Sequence, residues 1–227
     1  MQDASRATPT VEEYLEAILN MSSEGKRVLG ARLAERLNVS APTVTATLRR
    51  MMRDGLVTTN RGKEIRLTSK GLKAANNLVR RHRLAERLLT DVLKIPWPQA
   101  HQEACALEHG ISDKVMESLY QVLGQPATCP HGNPIPVADT LLPVKGVPLD
   151  TMAAGTTVVV ERISEEAANL PALLEYLEQG NIMPGAVLSV EEVASFAGTM
   201  KIRQNDREFA LGAKAASSVW VTPVSKP

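Results

Sequence analysis

The pattern of apolar and polar positions predicts helices at the start of the chain. In TVEEYLEAILNM apolar residues recur every three or four positions, which predicts an amphipathic helix over Thr10–Met21 with Thr10 as its N-cap. Two further helices, over about 31–37 and from the Ser40 cap to Asp54, are joined by a tight turn. The β-prone runs on either side of residues 60–63 predict a hairpin. Together they predict a winged helix-turn-helix.

The remaining pattern predicts a helical block and then a β-rich region. Helices are expected over about 69–93, 98–109 and 112–124, and their apolar faces with few aromatic residues are typical of a dimerisation block. From about Val144 short β-prone runs alternate with turn residues, which predicts a small barrel. The expected fold is therefore mainly α with a small β domain. The expected domains are 1–75, 76–143 and 144–227.

Composition narrows the classes of function. Aromatic residues make up only 3% of the 227 residues, so a base-stacking platform for single-stranded nucleic acid is not expected. No apolar run approaches the roughly 20 residues that cross a bilayer, and the N-terminal segment is polar. We therefore expect a cytoplasmic protein without a membrane partner. In that compartment the two cysteines are expected to be thiols or metal ligands.

Charge is strongly segregated along the chain. Between Lys26 and Thr90 there are 16 Lys/Arg against 4 Asp/Glu, whereas the rest of the chain has 10 against 21. A basic surface of this kind is typical of a module that binds a polyanion, although a solvated helix surface has the same composition. Together with the winged helix, the segregation favours double-stranded DNA as a partner.

Histidine and cysteine are concentrated in the helical block. All four histidines and both cysteines lie between His82 and His131. Four potential donors follow one another at i, i+4, i+7 and i+8, on one face of a helix: His101, Cys105, Glu108 and His109. His82 and Glu86 have the i, i+4 spacing on the preceding helix. Each residue alone is more typical of a protein core or a loop, but the joint pattern favours a metal site.

The donor types indicate a class of metal. Imidazole and carboxylate suit Mn(II), Fe(II), Co(II), Ni(II) and Zn(II), whereas one thiolate is too few for a cysteine-rich structural zinc site. Mixed, carboxylate-rich donors favour a regulatory Mn(II) or Fe(II) site. Zn(II), Co(II) and Ni(II) are expected to bind in vitro as well.

Several motifs in order carry a family resemblance. A winged helix followed by RHRLAERLL, HQEACALEHG and HGNPIP resembles the diphtheria-toxin-repressor family of iron- and manganese-dependent transcription regulators. The resemblance implies a metal-binding dimerisation domain and an SH3-like C-terminal domain. It also implies a homodimer that binds operator DNA.

The resemblance implies two groups of metal ligands. The primary group is Cys105, Glu108 and His109 with Glu13 from the first helix, one turn before Glu16. The ancillary group is His82, Glu86 and His101, with Cys129 and His131 as further donors together with Glu165 or Glu166. Glu13 resembles the manganese-type arrangement and Cys105 the iron-type one, so the metal stays open.

The resemblance also implies DNA contacts. Ser40, Pro42, Thr43 and Thr45 match the base-facing start of the recognition helix, and Ala46 stands where iron-type members commonly have Gln. Readout is therefore expected to depend on thymine methyl groups and DNA shape. Phosphate contacts are expected from basic residues of the helix and the wing: Arg49, Arg50, Arg53, Arg61 and Lys63.

The predicted function is a metal-dependent repressor, active on metal-uptake genes, with metal as corepressor. Two alternatives stay open: a metal-dependent enzyme, and a winged-helix regulator that senses a small organic ligand. The chain contains no HExxH, GxSxG or P-loop motif, so we expect neither an enzyme nor a small-molecule substrate.

Overall fold

The computed structural model describes residues 7–137 and 139–224. The helices of the N-terminal part are α1 Pro9–Ser23, α2 Gly30–Arg36, α3 Ala41–Arg53, α4 Ser69–Arg87, α5 Trp97–Glu108 and α6 Asp113–Val122. A π-helical turn, Leu88–Val92, follows α4. The later helices are α7 Glu165–Ala168, α8 Pro171–Gln179 and α9 Ala213–Ser218. In the described ranges no helix is long and apolar enough to cross a membrane.

The strands form two antiparallel sheets. The small hairpin is β1 Val57–Thr59 with β2 Ile65–Leu67. The larger sheet contains β3 Val147–Pro148, β4 Thr157–Ile163, β5 Val187–Ala194, β6 Thr199–Gln204, β7 Arg207–Gly212 and β8 Val219–Pro223. Its strand order is β3-β8-β4-β5-β6-β7. A helical N-terminal part and an antiparallel C-terminal sheet confirm the predicted fold class.

The chain divides into two compact units, and the first contains residues up to 82, 108–116 and 135–144. Its core is formed by α1, α2, α3 and the hairpin around the buried side chains of Tyr14, Leu15, Ile18, Leu33 and Met51. In α1 these apolar residues recur at helical spacing, so one side of the helix is removed from water.

The helix-turn-helix is fixed by local hydrogen bonds. The Ser40 hydroxyl caps α3 by accepting from the Thr43 amide at 3.3 Å, as the sequence indicates. The first helix differs from the prediction, because α1 begins at Pro9 with Thr8 in the N-cap position. Proline suits the first helical turn, where its missing N–H costs no intrahelical hydrogen bond.

The hairpin is held by its own turn and by a neighbouring segment. The Asn60 Oδ1 atom accepts from the amides of Gly62 and Glu64, at 2.9 and 3.0 Å. The Ile65 amide donates to the Val28 carbonyl at 2.9 Å, which attaches β2 to the segment between α1 and α2. The wing is therefore a fixed part of the first unit.

The second unit contains residues 83–107, 117–134 and 145–224. Val158, Val160, Leu174, Leu188 and Ile202 are buried in its core. They come from β4, α8, β5 and β6, and in the strands they alternate with half-buried or exposed residues, as expected for a sheet with one buried face.

The loop over residues 129–134 lies directly against β4. The Ile163 amide donates to the His131 carbonyl at 2.8 Å, and the Asn133 amide group donates to the Ile163 carbonyl at 2.9 Å. At Gly132, φ is +84° and a Cβ would lie 2.2 Å from the Glu161 carbonyl oxygen. Only glycine fits this position, and the close approach fixes the backbone at His131.

Candidate metal centres and DNA-binding surface

The exposed side of α3 contains the residues predicted to meet DNA bases. Pro42, Thr43, Thr45, Ala46 and Arg49 are exposed, whereas Val44, Thr47 and Leu48 are buried. The Thr45 hydroxyl donates to the Ala41 carbonyl at 3.0 Å, and the hydroxyls of Ser40 and Thr43 are 2.8 Å apart. Because these hydroxyls already have local partners, the helix start offers DNA mainly apolar surface.

The predicted phosphate-binding cations differ in their surroundings. Arg49, Arg61 and Lys63 are exposed and form no ion pair with any residue that the structure describes. Arg50 is half-buried and donates to the Thr8 hydroxyl at 3.4 Å. Arg53 is exposed and donates to the Asp54 carboxylate at 3.3 Å. Arg49, Arg61 and Lys63 are therefore the cations most accessible to a phosphate.

Arg27 and Arg32 are candidate DNA contacts outside the set predicted from the sequence. Both side chains are exposed and, within the described chain, neither pairs with a carboxylate. The Arg27 guanidinium lies against the wing turn, 3.3 Å from where a Cβ of Gly62 would be, and Arg32 donates to the Arg27 carbonyl at 3.1 Å. The excess of positive charge over 26–90 was the available signal, but both residues lie outside the predicted recognition helix and wing.

A first cluster, of potential metal donors and one arginine, lies within the first unit. We call it the His109 group: Glu12, Arg81, His82, Glu108 and His109. The Glu12 carboxylate accepts from Arg81 Nη2 at 3.1 Å, and its other oxygen is 2.7 Å from His109 Nδ1. Glu108 lies 2.7 Å from His82 Nδ1 through one oxygen and 3.4 Å from His109 Nε2 through the other. Two carboxylates thus hold the two imidazole rings.

The carboxylate that α1 contributes to this group differs from the sequence prediction. Glu13, the predicted ligand, is exposed, and Glu16 is half-buried, whereas Glu12 is 7% exposed and contacts His109. Glu12 lies three and seven residues before the buried Leu15 and Leu19, so helical periodicity places it on the inward side. A metal role for Glu13 and Glu16 stays a prediction.

A second cluster, of potential metal donors and one arginine, lies within the second unit. We call it the His131 group: Arg83, Glu86, His101, Cys129, His131 and Glu165. One Glu86 oxygen is 3.0 Å from His101 Nδ1 and 3.2 Å from His131 Nδ1. Donor atoms of Glu86, Cys129 and His131 lie within 4.8 Å of one another, as do those of Glu86, His101 and Glu165. Two overlapping donor triads therefore share Glu86.

Arg83 and Trp97 complete the surroundings of these donors. The Arg83 guanidinium donates to one Glu165 oxygen at 2.6 and 3.1 Å and also to the Pro134 carbonyl. The Trp97 ring lies 4.8 Å from the His131 ring, and its Nε1 donates to the Pro130 carbonyl at 3.1 Å. The loop over 129–134 and α7 are thereby attached to α4 and α5.

Burial controls the charges in the His131 group. Burial, reinforced by the carboxylates of Glu86 and Glu165, raises the pKa of Cys129 well above its ordinary value despite the nearby Arg83. Burial opposes the charge on Arg83, but Glu165, Cys129 and Glu86 outweigh it and raise the pKa of Arg83. In the metal-free protein the guanidinium is charged and the thiol is protonated.

The His131 group has the chemistry that a divalent transition metal requires. Among the described residues, neither ring nitrogen of the fully buried His131 has a partner with hydrogen-bond geometry, although Nδ1 lies 3.2 Å from the Glu86 carboxylate. Buried polar atoms of this kind are uncommon and indicate a missing ligand or ion. Nitrogen, sulfur and carboxylate oxygen close together suit Mn(II), Fe(II) and Zn(II), so the residues fit such an ion.

The structure separates several residues that the sequence treated together. Glu165 is buried in the His131 group and Glu166 is exposed. Cys105 is exposed on α5, with its sulfur 3.9 Å from His101 Nε2. His82 also has a hydrogen bond with Glu108. The metal roles of all these residues stay predictions.

Comparison with known proteins identifies the class to which this protein belongs. Residues 6–65 match the N-terminal DNA-binding domain of iron-dependent repressors, and residues 68–137 match their metal-binding and dimerisation domain. Residues 147–223 match the FeoA domain. Both repressor domains thus occur in one chain, in the order that the sequence predicts.

Individual relatives agree with this class. The iron-dependent repressor IdeR of Mycobacterium tuberculosis is 41% identical over 192 residues, which cover 80% of this chain and 84% of that protein. The diphtheria toxin repressor of Corynebacterium diphtheriae is 46% identical over 132 residues, 58% of each chain. A solved manganese-dependent transcriptional repressor in complex with manganese superposes with a TM-score of 0.85 at 34% identity, over 94% of this chain and 100% of that one.

The chain belongs to the iron-dependent repressor family, also called the diphtheria-toxin-repressor family. The family resemblance and the prediction of a metal-dependent DNA-binding regulator are confirmed. Because the relatives are transcriptional repressors, the enzyme and organic-ligand alternatives have no support from them.

Proposed function

We propose that this protein is a repressor that binds operator DNA as a homodimer and uses Mn(II) or Fe(II) as corepressor at metal-uptake genes. The observation that carries the proposal is the 2.7 Å contact between Glu12 of α1 and His109, which follows α5. This contact joins the DNA-binding helices to a potential metal donor. The proposed place of action is the cytoplasm, where the operator is accessible.

The proposed donors form two groups. The first is Glu13, Glu108 and His109, supplemented by Glu16. The second is Glu86, His101, Cys129, His131 and Glu165. When bound, the metal supplies positive charge and coordination bonds that join donors from distant parts of the sequence. The protein residues supply lone pairs and fix their directions.

The proposed operator contacts lie on the exposed side of α3 and on the wing. Pro42, Thr43, Thr45 and Ala46 present mainly apolar surface, which suits thymine methyl groups in the major groove. The cations without carboxylate partners in the described chain are proposed to contact phosphates: Arg27, Arg32, Arg49, Arg61 and Lys63.

The proposed dimer interface lies in the helical block. Val92, Leu93, Leu107 and Val122 are 54%, 56%, 41% and 80% exposed, and all fall in the range matched by the dimerisation domain. Large apolar side chains at such exposure favour burial against a second copy. A homodimer would place two α3 helices on two half-sites of one duplex.

Coupling between metal binding and DNA binding follows from the position of α1. Because α1 carries Glu12 and Glu13 and also packs against the helix-turn-helix core, a donor group that holds α1 restricts the DNA-binding helices. Restriction selects one arrangement from an ensemble and is reciprocal, so operator DNA should tighten metal binding by the same factor. Such couplings are typically about 1–3 kcal/mol.

Operator binding measured with and without metal tests the proposal. We expect Mn(II) or Fe(II) to raise affinity for a palindromic promoter fragment roughly 5- to 150-fold, and a chelator to reverse it. Glu13→Ala and His109→Ala should lose this increase and keep weak, salt-sensitive binding, because the cations remain. Equal affinity in chelator and in metal would contradict the proposed corepressor role.

A further inference from the structure

Arg87 is the last residue of α4 and directly follows Glu86, a proposed metal donor. Its Nε donates to the Thr128 carbonyl at 2.8 Å, and its Nη2 donates to the Cys129 carbonyl at 3.3 Å. Its Nη1 donates to the carboxylate of Asp91, four residues further on, at 3.3 Å. The Arg87 guanidinium therefore joins the end of α4 to the backbone that carries Cys129.

The two carbonyls belong to the two peptide groups on either side of the Cys129 Cα atom. Each peptide group is planar, so φ and ψ of Cys129 alone set the relative orientation of the two planes. Hydrogen bonds that hold both planes therefore fix the direction of the Cys129 Cα–Cβ bond and restrict where its sulfur lies. Two backbone hydrogen bonds of 2.9 Å add to this restriction: the Cys129 amide donates to the Asn133 carbonyl, and the Gly132 amide donates to the Cys129 carbonyl.

The sulfur fixed in this way lies among potential metal donors. Donor atoms of Glu86, Cys129 and His131 lie within 4.8 Å of one another. Because Glu86 and Arg87 are consecutive in one helix, the residue that supplies a carboxylate and the residue that holds the thiol move together. A donor set that is held in place before the ion arrives needs less rearrangement to bind it.

We propose that Arg87 is a positioning residue for metal binding: it holds the backbone on both sides of Cys129 and so presents the sulfur to an ion beside Glu86. The inference rests on the proposed function in one respect, that Cys129 is a metal ligand. Arg87 acts through Cys129 and is not itself a ligand, because a guanidinium has no acceptor atom. Groups that orient a ligand are typically worth about 10- to 100-fold in metal affinity.

The charge of Arg87 gives the opposite expectation. A guanidinium beside a metal site repels the cation, so a residue that acted only through its charge would weaken metal binding, and its removal would tighten binding. Positioning predicts instead that removal of Arg87 weakens metal binding. The direction of the change in affinity therefore separates positioning from electrostatics.

The test compares four variants with the wild-type chain. Arg87→Met removes the donors but keeps an apolar stem at a side chain that is 26% exposed. Arg87→Lys keeps the charge but lacks the planar fork that reaches two carbonyls. Asp91→Asn is the matched control, because it removes the ion pair of Arg87, leaves both carbonyl contacts in place and lies in neither proposed donor group. Cys129→Ser removes the proposed sulfur ligand. Thermal melts establish that each variant folds.

The first readout is the rate at which iodoacetamide alkylates Cys129 in native, metal-free protein. In Arg87→Met this rate should be at least roughly 10-fold higher than in the wild type, because hydrogen bonds from a charged donor no longer oppose local opening. Arg87→Lys should lie between the two, and Asp91→Asn should match the wild type. An unchanged rate in Arg87→Met overturns the proposal. Because neither metal nor DNA is present, this result is independent of whether metal controls operator binding.

The second readout is a titration with Co(II), whose bond to a thiolate gives a charge-transfer absorption band in the near ultraviolet. Cys129→Ser should lose this band. Arg87→Met should need about 10- to 100-fold more Co(II) to develop it, with Arg87→Lys intermediate and Asp91→Asn unchanged.

Three results of the Co(II) titration would count against the proposal. A band that persists in Cys129→Ser would overturn the assignment of Cys129 as a ligand and the inference with it. If Cys129→Ser loses the band but Arg87→Met binds Co(II) as tightly as the wild type and only melts at a lower temperature, Arg87 is merely structural and the inference alone is overturned. Tighter binding by Arg87→Met would show that its charge, and not its hydrogen bonds, decides the affinity.

Discussion

The two donor groups of this protein are built in opposite ways. In the His109 group the rings are held by carboxylates, and the His109 side chain is 32% exposed. In the His131 group a buried ring has no partner of hydrogen-bond geometry among the described residues, its nearest carboxylate being Glu86 at 3.2 Å, and it lies beside a buried thiol. The rings of the first group thus have carboxylate partners at 2.7 Å, whereas the second contains buried polar atoms that a bound ion would satisfy better.

This difference suggests a division of roles. The His109 group is in contact with α1 and is suited to report metal to the DNA-binding helices. The His131 group includes Glu165, which brings the β-rich part of the second unit to α4 through Arg83. Metal there should chiefly stabilise the second unit.

The largest expected effect concerns the two cysteines. In metal-free protein iodoacetamide should alkylate the exposed Cys105 readily and Cys129 slowly, since Cys129 is 1% exposed and burial raises its pKa. If Cys129 reacts only after unfolding, its alkylation in the native protein should be slower than in the unfolded protein by on the order of 10³-fold or more. Peptide mapping by mass spectrometry over time measures both rates, with urea-unfolded protein as the control. Similar native rates would contradict the buried state of the His131 group.

The next effect is the stabilisation by metal. At a free Mn(II) concentration about 100 times the dissociation constant, one site adds about 2.7 kcal/mol to the free energy of unfolding. His131→Leu should lose the contribution of the His131 group, whereas His109→Leu should keep it. Thermal melts with Mn(II) and with chelator measure the difference. The same metal-induced shift in both variants would remove the distinction between the groups.

In metal-free protein the same two variants should change the free energy of unfolding by different amounts. His109→Leu leaves a Glu12 oxygen without its ring partner and should lower the free energy of unfolding by about 1–2 kcal/mol. His131→Leu removes a ring whose nearest carboxylate, Glu86, lies at 3.2 Å without hydrogen-bond geometry to the ring, and should lower the free energy of unfolding less. Urea titration in chelator measures both. Greater destabilisation by His131→Leu would show that its ring is satisfied in solution.

Local signals made much of the fold predictable. The Ser40 cap, the following Pro42 and the turn at residues 60–63 are determined by neighbouring residues, and the structure agrees with each of them. The N-cap of α1 was predicted at Thr10 but lies at Thr8. Both threonines precede apolar helical sequence, and the proline between them favours Thr8 as the cap.

The partners within the donor groups could not be predicted in the same way. Glu12 and His109 are 97 residues apart, and Arg83 and Glu165 are 82 apart. Adjacent residues on a helix point about 100° apart, so a choice between Glu12 and Glu13 depends on which side of α1 is buried. Both glutamates also have the same chemistry. The tertiary contact alone separates them.

The smallest effect concerns the cations of the wing. Arg27 and Arg66 are both exposed beside the hairpin, but Arg66 donates to Glu64 at 2.8 Å, whereas Arg27 has no carboxylate partner in the described chain. A phosphate contact by Arg27 releases a counterion from DNA, which contributes about 0.9 to the slope of log affinity against log salt.

Arg27→Ala should therefore lower that slope by about one unit and weaken operator binding equally for all sequences. Arg66→Ala is the matched control and should change the slope less, because Glu64 already balances its charge locally. Fluorescence anisotropy of metal-saturated protein on a labelled operator, at several salt concentrations, measures both slopes. An equal decrease in the two variants would show that the ion pair with Glu64 opens on DNA, so that pairing in the free protein does not determine which cations bind phosphate.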